Sequence, residues 1–156
     1  MSDSTDAPNV VIHPPIALVI ALAISFALNW LHPLPFLPPF LPLLEIGLVL
    51  ALLVLLVIRW AATTFRNART NILTSQSTTA IVSTGPFAYS RNPIYVAALL
   101  GLIAFAIAFD SLWFFGALVA IYFVLRYGVI AREETYLEQK FGAPYLDYKS
   151  KVRRWL

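Results

Sequence analysis

The chain contains no cysteine. Disulfides, thiolate metal sites and a cysteine nucleophile are therefore excluded. Histidine is nearly as scarce: His13 and His32 are the only two, each beside a proline in the N-terminal third. Neither a metal-binding cluster nor a histidine-dependent triad is therefore expected. Charge is sparse as well, at 12% of residues against 60% hydrophobic. A typical soluble domain carries roughly 25% charged residues. The composition therefore points to an integral membrane protein of one domain's length. Residues 1–13 lack the basic region and small-residue cleavage site of a signal peptide. They are short, polar and weakly acidic, and are expected to be a disordered tail. No internal repeat is visible, so a solenoid is not indicated.

Four apolar runs are present, over residues 16–31, 43–60, 93–109 and 112–130. A helical crossing needs about 20 apolar residues, so the first run is short and is expected to borrow its flanks. Pro33, Pro35, Pro38, Pro39 and Pro42 follow it. That density of proline cannot continue a helix and reads as a tight connector. Glu45 sits near the outer end of the second run, where a snorkelling or protonated carboxyl fits better than a functional one. The expected fold is all-α and integral to the membrane. It has four transmembrane helices over about 15–32, 43–62, 93–109 and 112–130, a polar connector 63–92, and a helical extension 131–156. All eleven Lys and Arg fall in two places: Arg59, Arg66, Arg69 and Arg91, then seven from Arg126 to Arg154. The connectors 32–42 and 110–111 carry none, and Ser111 in the second is a candidate cap for the fourth run. The positive-inside rule then places both termini and the 63–92 connector in the cytoplasm. The same bias explains the basic patches better than nucleic-acid binding does.

Two polar stretches lie on that face. In residues 83–96, Gly85-Pro86 forces a turn. Asn92-Pro93 reads as a helix start, with Asn92 able to cap and Pro93 suited to the first helical position. Arg91 beside it has the chemistry to hold an anionic or carboxylate-bearing small molecule, or equally to lie near lipid phosphates. In the second stretch, Arg126, Val129, Ile130 and Glu133 would share one face of a continuous helix. Glu133 and Glu134 are about 100° apart on a helix, so one faces inward while the other meets solvent or an Arg. The plain alternative is a solvated Glu-Glu face paired with Arg132 and Lys140. Gly142 ends that helix as a C′ glycine, and Tyr145 and Tyr148 follow. A carboxylate with aromatic rings suits a cation. S-adenosylmethionine carries such cations, and also a carboxylate for Arg91.

The residues Gly85-Pro86-Phe87-Ala88-Tyr89-Ser90-Arg91-Asn92-Pro93-Ile94-Tyr95 resemble the Gly-x-Tyr-x-x-x-Arg-His-Pro-x-Tyr signature of the isoprenylcysteine carboxyl methyltransferase and phospholipid methyltransferase families. Glu133-Glu134-x-x-Leu137-x-x-x-Phe141-Gly142-x-x-Tyr145-x-x-Tyr148-x-x-x-Val152 resembles their C-terminal signature. The resemblance covers roughly residues 66–156 and both motifs stand in the family order. It implies an S-adenosylmethionine-dependent methyltransferase acting at the cytoplasmic membrane face. The acceptor would be a lipophilic carboxylate, amine or thiol, and the partner is the lipid bilayer. By the same resemblance Arg91, Glu133 and Glu134 are the catalytic residues. Thr79, Ala80, Ile81, Val82, Phe87, Asn92, Pro93, Ile94, Tyr95 and Glu133 bind the cofactor, and no metal is required. Asn92 stands where the family has His, and Ala97 where many members have Gly. Val129 stands where the prenylcysteine enzymes carry an Arg for the substrate carboxylate, a role Arg126 would take over. The alternatives are an NADPH-dependent membrane reductase of the sterol-reductase type, with its similar Arg-x-Pro-x-Tyr stretch, and a non-catalytic membrane scaffold.

Overall fold

The computed structural model describes residue 8, residues 10–69 and residues 78–156. Helix α1 (Pro14–Leu31) opens on tandem prolines, whose fixed φ and missing N–H suit a first turn. The His13 carbonyl accepts its first bonds, from the Ile16 and Ala17 amides at 3.0 and 3.1 Å. The proline-rich connector holds no helix until α2 (Leu43–Asn67), which runs past the expected end of the second span. Next come α3 (Pro93–Ala108) and α4 (Trp113–Phe123). Residues Val124–Ile130 wind as a π-helix and pass without a break into α5 (Ala131–Phe141). Gly142, at φ 58°, turns the chain into α6 (Ala143–Lys151). No β-strand occurs among the described residues, and the fold is all-helical. Three stretches are long and apolar enough to cross a membrane: α1, α2 and the continuous Trp113–Phe141. The third expected span, α3, is apolar but only 16 residues long, roughly 24 Å of helix.

Helix α2 packs along α3, and both α1 and α3 pack on α4. Lipid-facing helices gain little from apolar burial alone, so small residues that let backbones approach carry the contact. A Cβ on Gly47 would lie 2.4 Å from the Ala108 Cβ and 2.9 Å from the Ala104 carbonyl oxygen. At the same end Phe26 meets Phe105, Phe109 and Phe114 edge-on, at 5.8, 4.9 and 5.1 Å between ring centroids.

The two charge-poor connectors are stitched together there. Asp110, at φ 44°, accepts the Phe36 and Leu37 amides on one carboxylate oxygen at 2.9 Å each. The Leu112 amide donates to Leu34 O, and Trp113 Nε1 to His32 O. Ser111 does not cap α4: Leu112 occupies that position, and the Ser111 hydroxyl is buried without a partner.

At the other end, the π segment shifts the register of the last long helix. A π turn takes in about one residue more than an α turn. Leu125, Val129 and Ile130 therefore enter the core beside Ala17, Leu102 and Ile121. Arg126 is left on the flank, its guanidinium 5.4 Å over the Tyr127 ring. A continuous α-helix would have put Arg126 and Glu133 on one face; the π segment separates them. Val11 donates its amide to Gly128 O at 3.1 Å, and Val10 and Ile12 pack against the core. The stretch expected as a disordered tail thus includes packed residues at 10–12, while residues 1–7 and 9 lie outside the described set.

Candidate active site

The site is built on the irregular chain between α2 and α3, of which residues 68–69 and 78–92 are described. One 3₁₀ turn, Gly85–Ala88, presses it onto α2. Gly85 has φ 60°, and a Cβ there would sit 2.7 Å from Thr64 Oγ1, so both the backbone angle and the space demand glycine. Phe87 is buried with its ring 4.7 Å from that of Phe65. Its carbonyl accepts the Tyr148 hydroxyl at 2.8 Å. Asn92 holds the N-cap position of α3, yet its side chain does not cap. Pro93 lacks an N–H, and the Asn92 Nδ2 donates instead to Arg154 O at 2.9 Å.

The two glutamates diverge, as one helical step requires. Glu133 accepts the Tyr95 hydroxyl at 2.9 Å. Glu134 meets guanidinium groups: Arg91 Nη2 at 2.9 Å, and Arg154 through Nε at 2.8 Å and Nη2 at 2.5 Å. Lys149 Nζ stands 4.0 Å away and binds Glu138 more closely. Arg91 also donates Nη1 to Lys149 O at 3.0 Å, while its Nε is buried without a partner. The Arg91 and Glu134 side chains are only 9% and 8% exposed. Both are committed to each other, and a buried pair of this kind is costly to break. Hydrogen bonding to Glu134 holds the Arg154 guanidinium protonated above its ordinary range. Burial pushes the Tyr145 phenol up, with the Glu134 charge adding to it. Burial likewise pushes Tyr148 up, to about 12, against the opposing charge of Arg91.

A cavity of about 610 Å³ opens beside this network. Of the residues singled out from the sequence, Phe87, Glu133, Glu134 and residues 80–82 and 91–95 line it. Thr79 and Arg126 do not: the Thr79 hydroxyl donates to Arg69 O at 3.1 Å, and Arg126 lies over Tyr127. Val129 is fully buried in the core rather than facing the cavity. The polar end holds Glu133, Tyr136 and Asn92, and the wall continues past Ala97 to Leu22, Val54, Gly101 and Phe105. From Pro93 to Phe105 that wall follows roughly 18 Å of helix. Sequence reasoning missed Phe65, Tyr136 and the α1 residues Pro14 and Leu18. Tyr136 had a signal, standing one turn beyond Glu133. The α1 wall had none.

A family model described as phospholipid methyltransferase matches residues 43–144. The chain belongs to the phospholipid methyltransferase family. The cavity lining falls within the matched region, except for the residues up to Leu22 and those after 144. The chain is also 48% identical over 64 residues to a protein of Haemophilus influenzae described as uncharacterized, covering 40% of this chain and all of that one. No solved structure matches. Membership implies a membrane methyltransferase, consistent with the three long apolar stretches.

Proposed function

We propose that the protein transfers a methyl group from S-adenosylmethionine to a lipophilic acceptor at the cytoplasmic face of a membrane. The observation that carries the reading is one cavity with a polar end at Glu133 and an apolar end at Leu22, Val54 and Phe105. A volume of about 610 Å³ is within the roughly 300–1,000 Å³ of small-molecule sites. The residues fit this cofactor. Glu133 offers a carboxylate positioned by the Tyr95 hydroxyl rather than neutralised by a guanidinium. Phe87 and Tyr136 supply aromatic surface, and residues 80–82 supply main chain along one wall. When bound, S-adenosylmethionine supplies a methyl group already activated by its sulfonium.

The chain's own work is then mainly positioning and exclusion of water. Glu133 pairs with the cationic end, and Tyr95 holds that carboxylate in place. The Arg91–Glu134 pair anchors the loop that carries Phe87 and Asn92. The apolar wall between α1, α2 and α3 takes the acceptor's hydrocarbon. The charge-poor connectors at one end and the basic residues at the other support four crossings, with both termini cytoplasmic. The family match favours methyl transfer over an NADPH-dependent reductase and over a scaffold with unused motifs.

The test is transfer of labelled methyl from S-adenosylmethionine into membrane lipid extracts, with identification of the labelled product. Label appearing in a lipid, and lost with Glu133→Ala, is the expected result. No transfer by folded protein across lipid classes counts against the reading.

A further inference from the structure

The last five residues, 152–156, follow α6 without helix, and the chain leaves it at Val152 with φ −117° and ψ 133°. A chain end of this kind is ordinarily poorly ordered unless something ties it down. Here it is tied on two sides. On the apolar side, the Trp155 ring stacks on Tyr122 at 5.4 Å and 30°, and Trp155 packs against the core cluster. On the polar side, its backbone receives the loop that forms the cavity wall. The Arg91 amide donates to Arg153 O at 2.9 Å, Asn92 Nδ2 to Arg154 O at 2.9 Å, and the Ser90 hydroxyl to Arg154 O at 3.5 Å. The Arg154 guanidinium then reaches Glu134 through two nitrogens. One residue thus binds loop and helix together, through its carbonyl on one side and its side chain on the other.

We propose that Arg154 is a positioning residue. It clamps the C-terminal strap across residues 90–92 and, with Arg91, fixes Glu134, so that Asn92, Pro93 and Tyr95 stand at the cavity in the arrangement cofactor binding requires. The consequence for binding rests on the function proposed above, whereas the clamp itself does not. A planar two-nitrogen contact is specific to arginine; lysine delivers charge at a single point. Arg154 is not among the residues lining the cavity, so its effect on a ligand is transmitted through Glu134, Arg91 and Asn92.

The experiment uses the full chain in lipid nanodiscs, as wild type, Arg154→Ala, Arg154→Lys and Lys151→Ala. Among the described residues Lys151 pairs only with exposed Asp147, and it serves as the control. Two quantities are measured: S-adenosylhomocysteine affinity by calorimetry, and amide hydrogen exchange of a peptide covering residues 90–92. The expected result for Arg154→Ala is roughly tenfold or more weaker binding, from loss of a charge-assisted contact, with faster exchange confined to that loop and the chain end. Arg154→Lys recovers part of both, and Lys151→Ala matches wild type. Exchange and affinity unchanged in Arg154→Ala would overturn the proposal. So would faster exchange spread over every helix, which is the mark of general destabilisation. Wild-type protein that binds no S-adenosylhomocysteine defeats the proposed function instead, and the exchange data still decide whether the clamp exists.

Discussion

At the residue scale, the decisive contrast is between neighbours. Glu133 and Glu134 differ by one step of the helix, and that step gives one a phenol and the other two guanidiniums. The sequence carried this divergence in its spacing, because adjacent helical residues cannot share a direction. It did not carry the partners, because Arg91 and Arg154 arrive from distant parts of the chain. Asn92 was legible as the cap position of α3 but not as a donor to the chain end, since its acceptor is a backbone carbonyl that no motif marks. Arg91, read from sequence as a ligand-facing cation, has its charge matched inside the protein. Arg91→Ala is therefore expected to cost about 1–3 kcal/mol of stability, because it takes one guanidinium from a buried carboxylate that Arg154 still holds. Thermal unfolding in detergent measures it, and unchanged stability with lost ligand binding would instead mark Arg91 as a ligand contact.

Tyr148 gives a pH dependence. Its phenol is raised from 10.0 to about 12 by burial, and its hydroxyl donates to Phe87 O. The raised group stabilises the fold fully below pH 10, and that contribution is lost as pH rises through about 12. The stability difference between wild type and Tyr148→Phe should then shrink across this alkaline window. A difference constant across this window would show that folding does not raise the Tyr148 phenol.

At the element scale, helix boundaries followed proline and glycine closely. Pro14, Pro93 and Gly142 stand where helices begin or end, because φ restriction and positive φ act locally and need no tertiary context. The π segment at Val124–Ile130 was invisible. Its sequence reads as an ordinary apolar helix, and only the phase of the buried residues reveals it. That hidden shift is why Arg126 stands beside Tyr127 rather than at the cavity. Ser111 shows a similar limit: a good capping residue by type was overridden by the stitching of the connectors through Asp110 and Leu112. Gly47 sets how closely α2 approaches the end of α3. Gly47→Leu must push against Ala108 backbone as well as side chain, and should cost about 1–3 kcal/mol as an overpacked contact does. Unfolding of the variant in detergent checks this, and wild-type stability would mean that the two helices part easily.

At the scale of the whole molecule, the chain is an all-helical bundle with two unlike ends. One end is closed by aromatic rings and backbone stitching around Asp110. The other gathers the basic residues, the two glutamates and the polar end of the cavity. Membrane character and the grouping of the two motifs were legible because composition and charge placement are global properties of the sequence. The part played by α1 in the cavity was not, since an apolar helix looks the same whether it faces lipid or a pocket. The family assignment implies a membrane methyltransferase, and the proposed cofactor is the central claim.

The most direct measurement is calorimetric titration of purified, folded protein with S-adenosylhomocysteine, set beside Glu133→Gln. Saturable binding to one site, weakened roughly 10- to 100-fold when the Glu133 charge is removed, is the predicted result. No binding by folded wild type, or binding equally tight in Glu133→Gln, would contradict the account.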